Sequence, residues 1–159
     1  MDFLRRRFIE QGSIIIAKEK RKKVLVVDDD QEMRDMLRSF LTYRGYYVKT
    51  VQDGIKGLAE LEKDFYDLLI TDIYMPGMSG MELLENIDKR NWDLSILAMT
   101  GMPSKKINET VAEKGAYGCL VKPFPLSLLL TTIEKCFEKS GIQKSPSDPL
   151  AGTKSTSTH

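Results

Sequence analysis

The chain has 159 residues, with 24 Lys/Arg against 23 Asp/Glu, one histidine and two cysteines. That length holds one domain with a sizeable core plus terminal extensions. Residues 1–23 carry eight basic and three acidic side chains, leaving sixteen and twenty for the rest, so the body lacks the basic stripe of a direct nucleic-acid binder.

Cys119 and Cys136 both lie in apolar runs, which reads as two reduced core thiols rather than a disulfide framework. No apolar run reaches transmembrane length, and Ile14-Ile15-Ile16-Ala17 is too short and too close to charge for a secretory signal. The expected location is the cytoplasm. The Asn108-Glu109-Thr110 sequon carries no meaning there.

Residues 1–22 form a basic arm. Phe3, Leu4, Phe8, Ile9 and Ile14–Ile16 fit a helical stripe only loosely, so the arm is expected to be disordered or helical. Three roles are open to it: docking on a partner, homodimer formation, or attachment to a membrane surface. From Val24 the pattern becomes regular. Val24-Leu25-Val26-Val27 is a strand running into Asp28-Asp29-Asp30. Met33, Met36, Leu37, Phe40 and Leu41 then recur at helical spacing until Gly45.

Residues 46–51 read as a strand near a sheet edge, because Lys49 and Thr50 interrupt it. Ile55, Leu58, Ala59 and Leu61 mark a second helix. The buried strand 67–73 ends in Asp72, and a loop with Pro76, Gly77 and Gly80 follows. A helix at 81–90 places Leu83, Leu84 and Ile87 on one face. Strand 94–99 runs into Thr100-Gly101, helix 105–114 has the thin apolar face Ile107 and Val111, and strand 118–121 runs into Lys122-Pro123. A last amphipathic helix, 126–138, starts after Pro125.

Strict β-α alternation at this spacing argues a parallel sheet with helices on both faces. The Ser/Thr/Pro/Gly/Lys-rich stretch 140–159 is expected to be a disordered tail, too short for an output domain.

In a parallel sheet all C-terminal strand ends share one edge. There the chain presents Asp28 and Asp29, then Asp72, Thr100 and Lys122. Three carboxylates held together repel one another unless a cation neutralises them. Oxygen donors without neighbouring His or Cys suit Mg²⁺. Asp72 is then placed to act as a carboxylate nucleophile toward phosphorus. Lys122 supplies positive charge and Thr100 a hydroxyl. Asp30 reads as a helix N-cap.

The runs VLVVDDD (24–30), LLITDIYMPGMSG (68–80), MTG (99–101) and KPF (122–124) resemble, in that order, the receiver domain of two-component response regulators. The likeness covers residues 23–139. It implies a flavodoxin-like (CheY-like), doubly wound, five-stranded parallel sheet of order 2-1-3-4-5. It implies phosphoryl transfer to Asp72 from a sensor histidine kinase or a histidine phosphotransfer protein. Mg²⁺, or Mn²⁺ in its place, would be held by Asp28 (through water), Asp29, Asp72 and the Tyr74 carbonyl. Thr100 would be the switch hydroxyl, Lys122 the phosphate-binding lysine, and Lys122-Pro123 a cis bond. Docking of the phosphodonor would use the first helix around Met33 and the Pro123-Phe124 loop. The lack of an output domain suggests a stand-alone receiver with an unidentified downstream protein target, acting as a switch or a relay. Such a protein turns over no substrate beyond its own phosphorylation and dephosphorylation.

Two positions depart from the family pattern. The usual switch aromatic, three residues before the lysine, is replaced by Cys119, and Tyr117 is a candidate substitute. The positions two after the acceptor and two after the threonine hold Tyr74 and Met102, both bulky and neither with a carboxylate or amide to align a hydrolytic water, so slow self-dephosphorylation is expected. Gly101 reads either as a turn glycine or as room for the donor. Met75, Met78 and Met81 read as loop and core filler, and Trp92 as helix-end packing. His159 sits in the tail and is no phosphodonor.

Competing functions fit less well. A haloacid dehalogenase-like phosphatase would carry its nucleophile in an Asp-x-Asp after the first strand. An FMN binder needs a Gly/Ser/Thr-rich phosphate cradle there, not three aspartates. A degenerate docking receiver would have lost an acid, the threonine or the lysine.

Overall fold

A computed structural model describes residues 7–10, 13–16 and 20–143. Its first elements are two short strands, β1 (Arg7–Glu10) and β2 (Ser13–Ile16). They pair antiparallel, Phe8 opposite Ile15 and Ile9 opposite Ile14, as a sheet separate from the main one. This corrects the expectation of a disordered or helical arm over this stretch. β-Branched and aromatic residues favour a pleated backbone over a helix, and the loose helical stripe was a weak signal beside the Ile14-Ile15-Ile16 run. The rest of the arm before residue 20, residues 1–6, 11–12 and 17–19, lies outside the described residues.

The body follows as β3 (Lys23–Val27), α1 (Gln31–Tyr43), β4 (Tyr47–Val51), α2 (Gly54–Lys63), β5 (Leu68–Asp72) and α3 (Gly80–Arg90), then β6 (Ser95–Thr100), α4 (Lys105–Glu113), β7 (Gly118–Val121) and α5 (Leu126–Gln143). The five strands β3 to β7 form one parallel sheet in the order β4-β3-β5-β6-β7. Counted among themselves, that is 2-1-3-4-5, with β4 at an edge as its mixed composition predicts. The tail expected from residue 140 begins inside α5, and residues 144–159 lie outside the described residues.

The sheet is buried on both faces, which is why its inner strands read as continuous apolar runs rather than alternating ones. Leu25, Val27, Leu69 and Ala98 face a cluster with Leu61 of α2, Leu83, Leu84 and Ile87 of α3, and Val111 of α4. Val24, Val26, Leu68, Ile70, Leu97 and Met99 face Leu37 and Leu41 of α1 and Leu129 and Ile133 of α5. Each fully buried Leu or Ile contributes about 1.5–3 kcal/mol of transfer free energy, so these two layers hold the strands in register.

The helical stripes differ in detail from the sequence expectation. In α1 the buried positions are Arg34, Leu37 and Leu41, while Met36 is exposed. In α2 they are Gly54, Gly57 and Leu61, and Ile55 faces solvent. The two glycines let α2 lie close: a Cβ at Gly57 would stand 2.9 Å from Val27 Cγ2. Met75 is buried, Met78, Met81 and Trp92 pack at the margin of the first cluster, and the Arg90 guanidinium lies 5.4 Å over the Trp92 ring.

Candidate functional site

The strand order reverses at β3 and β5, because the chain leaves β3 for one side of the sheet and returns to the other. A crevice opens outside the C-terminal ends of strands at such a switch point. Asp28 and Asp29 follow β3, Asp72 ends β5, Thr100 ends β6 and Lys122 follows β7. The fold therefore gathers Asp28, Asp29, Asp72, Thr100 and Lys122 at one edge.

Asp28 is fully buried, Asp72 is 7 % exposed, and Asp29 is exposed. One carboxylate oxygen of each lies within 4.8 Å of the other two. Lys122 Nζ donates to Asp28 Oδ2 at 2.6 Å and to Asp72 Oδ2 at 3.1 Å. Burial pushes the Asp28 carboxyl above its ordinary range, against hydrogen bonds from Lys122 and the Asp30 N–H that pull it down. Burial alone would lower the Lys122 pKa, but Asp28 first and then Asp72 outweigh it and hold the ammonium above its usual value. Lys122 is thus a fixed cation.

The three acids and one lysine leave the cluster net negative. Its donors are all hard oxygens, and Asp29 reaches it from solvent. That set fits a hard divalent cation such as Mg²⁺.

Local structure explains how the acids are aimed. Asp30 caps α1, accepting from Glu32 N at 2.9 Å and from Met33 N at 3.4 Å. Its own N–H donates to Asp28 Oδ1 at 2.9 Å. On β5, Gly80 is the critical neighbour. Its N–H donates to the Ile73 carbonyl at 2.9 Å, and a Cβ there would stand 1.9 Å from the Asp72 carbonyl oxygen. Only glycine lets α3 start directly against the end of β5. A Ser79–Glu82 capping box fixes that start.

Thr100 is fully buried, and its Oγ1 accepts from the Met102 N–H at 3.1 Å. Lys122-Pro123 is cis. Tyr74 and Met102 follow the site in exposed loops, at 47 % and 61 % exposure. Gly101 is not among the positive-φ glycines, and a Cβ there would meet nothing within 4 Å. Open space, rather than a strained turn, surrounds it.

Cys119 pairs in register with Ala98 and packs against the cluster holding Val111 and Ile107. Burial raises its thiol pKa, and the nearby Asp72 charge adds to this. Tyr117 lies elsewhere. It precedes β7, its N–H donates to the Ile96 carbonyl, and its ring sits beneath Lys139 Nζ at 5.7 Å. Thr100 is opposite Val121, four residues further along, or roughly 13 Å at strand rise. Alternation along the strand placed Tyr117 on the Cys119 side. Its position at the far end of β7 separates it from the site.

One residue escaped the sequence reading. Arg34, 8 % exposed, donates from Nη1 to the carbonyls of Asp28 (2.8 Å) and Asp29 (3.0 Å), and from Nη2 to Gln31 Oε1 (2.6 Å). Its signal was present: positions 34, 37 and 41 are a helical stripe, with a charged residue at a buried position.

Comparison with known proteins agrees with this geometry. Residues 24–134 match the family model described as the response regulator receiver domain. The chain is 33 % identical over 129 residues to the response regulator MprA of Mycobacterium sp. (strain KMS), an alignment covering 80 % of this chain and 55 % of MprA. It thus spans about half the length of the curated relatives it matches. Among solved structures, the chemotaxis protein CheY4 of Vibrio cholerae superposes with a TM-score of 0.70 at 34 % identity, covering 74 % of this chain and 99 % of that one. A CheY-like response regulator receiver domain protein from Methanospirillum hungatei JF-1 gives 0.74 at 30 % identity, covering 78 % and 99 %. Sequence, sheet order and the gathered strand-end residues converge, and the chain belongs to the response regulator receiver domain family.

Proposed function

We infer that this protein is a phosphorylation-dependent signalling module in which Asp72 accepts a phosphoryl group from a phosphohistidine on a sensor histidine kinase or a phosphotransfer protein. The observation that carries this reading is the Lys122 ammonium bonded at once to Asp28 and Asp72, with Asp29 in the same cluster and Thr100 at the end of the neighbouring strand β6. In the transfer, an Asp72 carboxylate oxygen forms a bond to phosphorus as the phosphorus–nitrogen bond of the donor breaks. The electron pair of that bond returns to the imidazole nitrogen.

Asp28, Asp29, Asp72 and the Tyr74 carbonyl are the groups that would hold Mg²⁺, or Mn²⁺ in its place. When bound, the cation offsets negative charge on the transferring phosphoryl oxygens. Lys122 supplies a fixed positive charge to an oxygen of the same group. The Thr100 hydroxyl would donate to another, and because its oxygen also accepts from the Met102 N–H, a shift of Thr100 toward the phosphoryl group would couple phosphorylation to the loop after β6. The protein is not an enzyme acting on a separate substrate. It catalyses its own phosphorylation and slow dephosphorylation, and it works in the cytoplasm by changing its affinity for a protein target or passing the phosphoryl group on. No direct nucleic-acid contact is part of this reading, whereas homodimer formation through the basic arm is a candidate. No helix among the described residues is long and apolar enough to cross a membrane.

The test is incubation with Mg²⁺ and acetyl phosphate or phosphoramidate, followed by intact mass. One added phosphoryl group, absent in Asp72→Asn and Asp72→Ala, supports the reading. No mass gain, or gain surviving both substitutions, refutes it.

A further inference from the structure

The loop that carries Asp28 and Asp29 is held by a side chain from outside it. Arg34 comes from the first turns of α1 and turns back beneath the loop. Its Nη1 bridges two successive carbonyls, at 2.8 Å to Asp28 and 3.0 Å to Asp29. Nη2 is itself fixed by Gln31 at 2.6 Å, and Gln31 reaches on to Asp35. All three acceptors of the guanidinium are neutral oxygens. The charge is therefore not spent on pairing with a carboxylate, and the bonds act on backbone position.

A buried guanidinium is costly to place, and a planar fork can hold two carbonyls and an amide in one geometry that a flexible ammonium cannot reproduce. The carbonyls it holds belong to the two residues whose side chains converge with Asp72 to within 4.8 Å.

We propose that Arg34 is a positioning residue for the divalent-cation site: by clamping the Asp28 and Asp29 carbonyls, it orients both carboxylates toward Asp72. This rests on the Mg²⁺-dependent reading above. Groups that support ligands from outside the coordination sphere commonly contribute ten- to hundredfold in metal affinity. Removing the clamp is therefore expected to weaken cation binding with the ligands themselves intact.

The experiment is a calorimetric titration of Mg²⁺, repeated with Mn²⁺, into the full chain and into Arg34→Gln, Arg34→Lys and Leu41→Ala. Circular dichroism and thermal melts are recorded on each. Leu41 is buried on the same helix toward its far end, so Leu41→Ala controls for general loss of stability. The expected result is a dissociation constant raised about tenfold in Arg34→Gln, raised less in Arg34→Lys, and unchanged in Leu41→Ala. Should Arg34→Gln not fold, Arg34→Lys decides, with at least a threefold weakening expected. Wild-type affinity in the folded Arg34 variant, or equal weakening in Leu41→Ala, overturns the positioning role while leaving the cation site standing. A wild-type chain that binds neither ion overturns both.

Discussion

Lys122 and Asp28 are 94 positions apart in the chain, yet their charged atoms stand 2.6 Å apart. The contact joins the two strands on either side of β5 and β6 across the C-terminal edge of the sheet. It holds a buried carboxylate and a part-buried ammonium that neither strand could keep alone, and the same Nζ also reaches Asp72 at 3.1 Å.

Cation binding should stabilise the fold. At tenfold excess over its dissociation constant, Mg²⁺ is expected to add about 1.4 kcal/mol, a rise of about 5 °C in melting temperature. Thermal melts with and without Mg²⁺ check this. The shift should vanish with chelator and in Asp29→Asn, whose side chain is exposed and carries no other structural load.

Gly80→Ala should be among the most damaging small substitutions. The added Cβ would stand 1.9 Å from the Asp72 carbonyl oxygen, so α3 and the end of β5 must move apart. The expected loss is about 3 kcal/mol or more, with reduced phosphoryl uptake by whatever still folds. Gly101→Ala, where a Cβ meets nothing within 4 Å, should change stability by no more than about 0.5 kcal/mol. Urea melts of the pair test the contrast.

The lifetime of the phosphorylated state should respond to Met102. Its exposed side chain has no group to orient a water, and Tyr74, also exposed, offers neither carboxylate nor amide. Replacement of Met102 by Gln or Glu is expected to shorten the half-life on the order of tenfold, below the full effect of a general base. The decay of the added phosphoryl mass with time provides the measurement. A half-life of seconds in the unmodified protein would contradict the reading.

Acid sensitivity should have one identifiable contributor in Glu60. The Tyr66 hydroxyl donates to it at 2.7 Å and Lys49 Nζ lies 3.2 Å away. Chiefly through the Tyr66 hydrogen bond, its carboxyl is held below the ordinary value, with burial opposing and Lys49 assisting. A depressed carboxyl stabilises the fold above its unfolded pKa of about 4.3, and the stabilisation is lost as pH falls through the lower folded value. Glu60→Gln should therefore cost roughly 1 kcal/mol near neutrality. Urea melts should show that difference shrinking as the pH falls below the carboxyl's unfolded pKa and through its lower folded value.

Strand alternation suggested Tyr117 as a substitute for the switch aromatic, and the fold sets it at the far end of β7 from Thr100. With Cys119 beside Ala98 and Tyr117 beneath Lys139, the ring of Tyr117 has no short path to Thr100. Its fluorescence or NMR environment is expected to stay unchanged on phosphorylation or beryllofluoride binding. A signal leaving by the α4 face would pass through the small Cys119 side chain and Ile107 and Val111, which share its cluster.

By itself the sequence determined the sheet, its helices and the five strand-end residues. Continuous apolar runs ending in Asp28, Asp72, Thr100 and Lys122 are local signals, and parallel topology alone forces their ends onto one edge. Asp30 as a cap was legible for the same reason, since capping is decided within three residues. What needed tertiary structure was every relation between elements. Arg34 gains a role only where α1 docks and turns it beneath the Asp28–Asp29 loop. Gly80 read only as part of the loop after Asp72, and its need for glycine shows where α3 meets the carbonyl of Asp72. Met36 and Ile55 fit apolar stripes, but docking angles exposed them. The distance from Tyr117 to Thr100 depends on where β7 begins, which period-two alternation does not specify. Periodicity tells which residues can share a face, and only packing decides which face meets which neighbour.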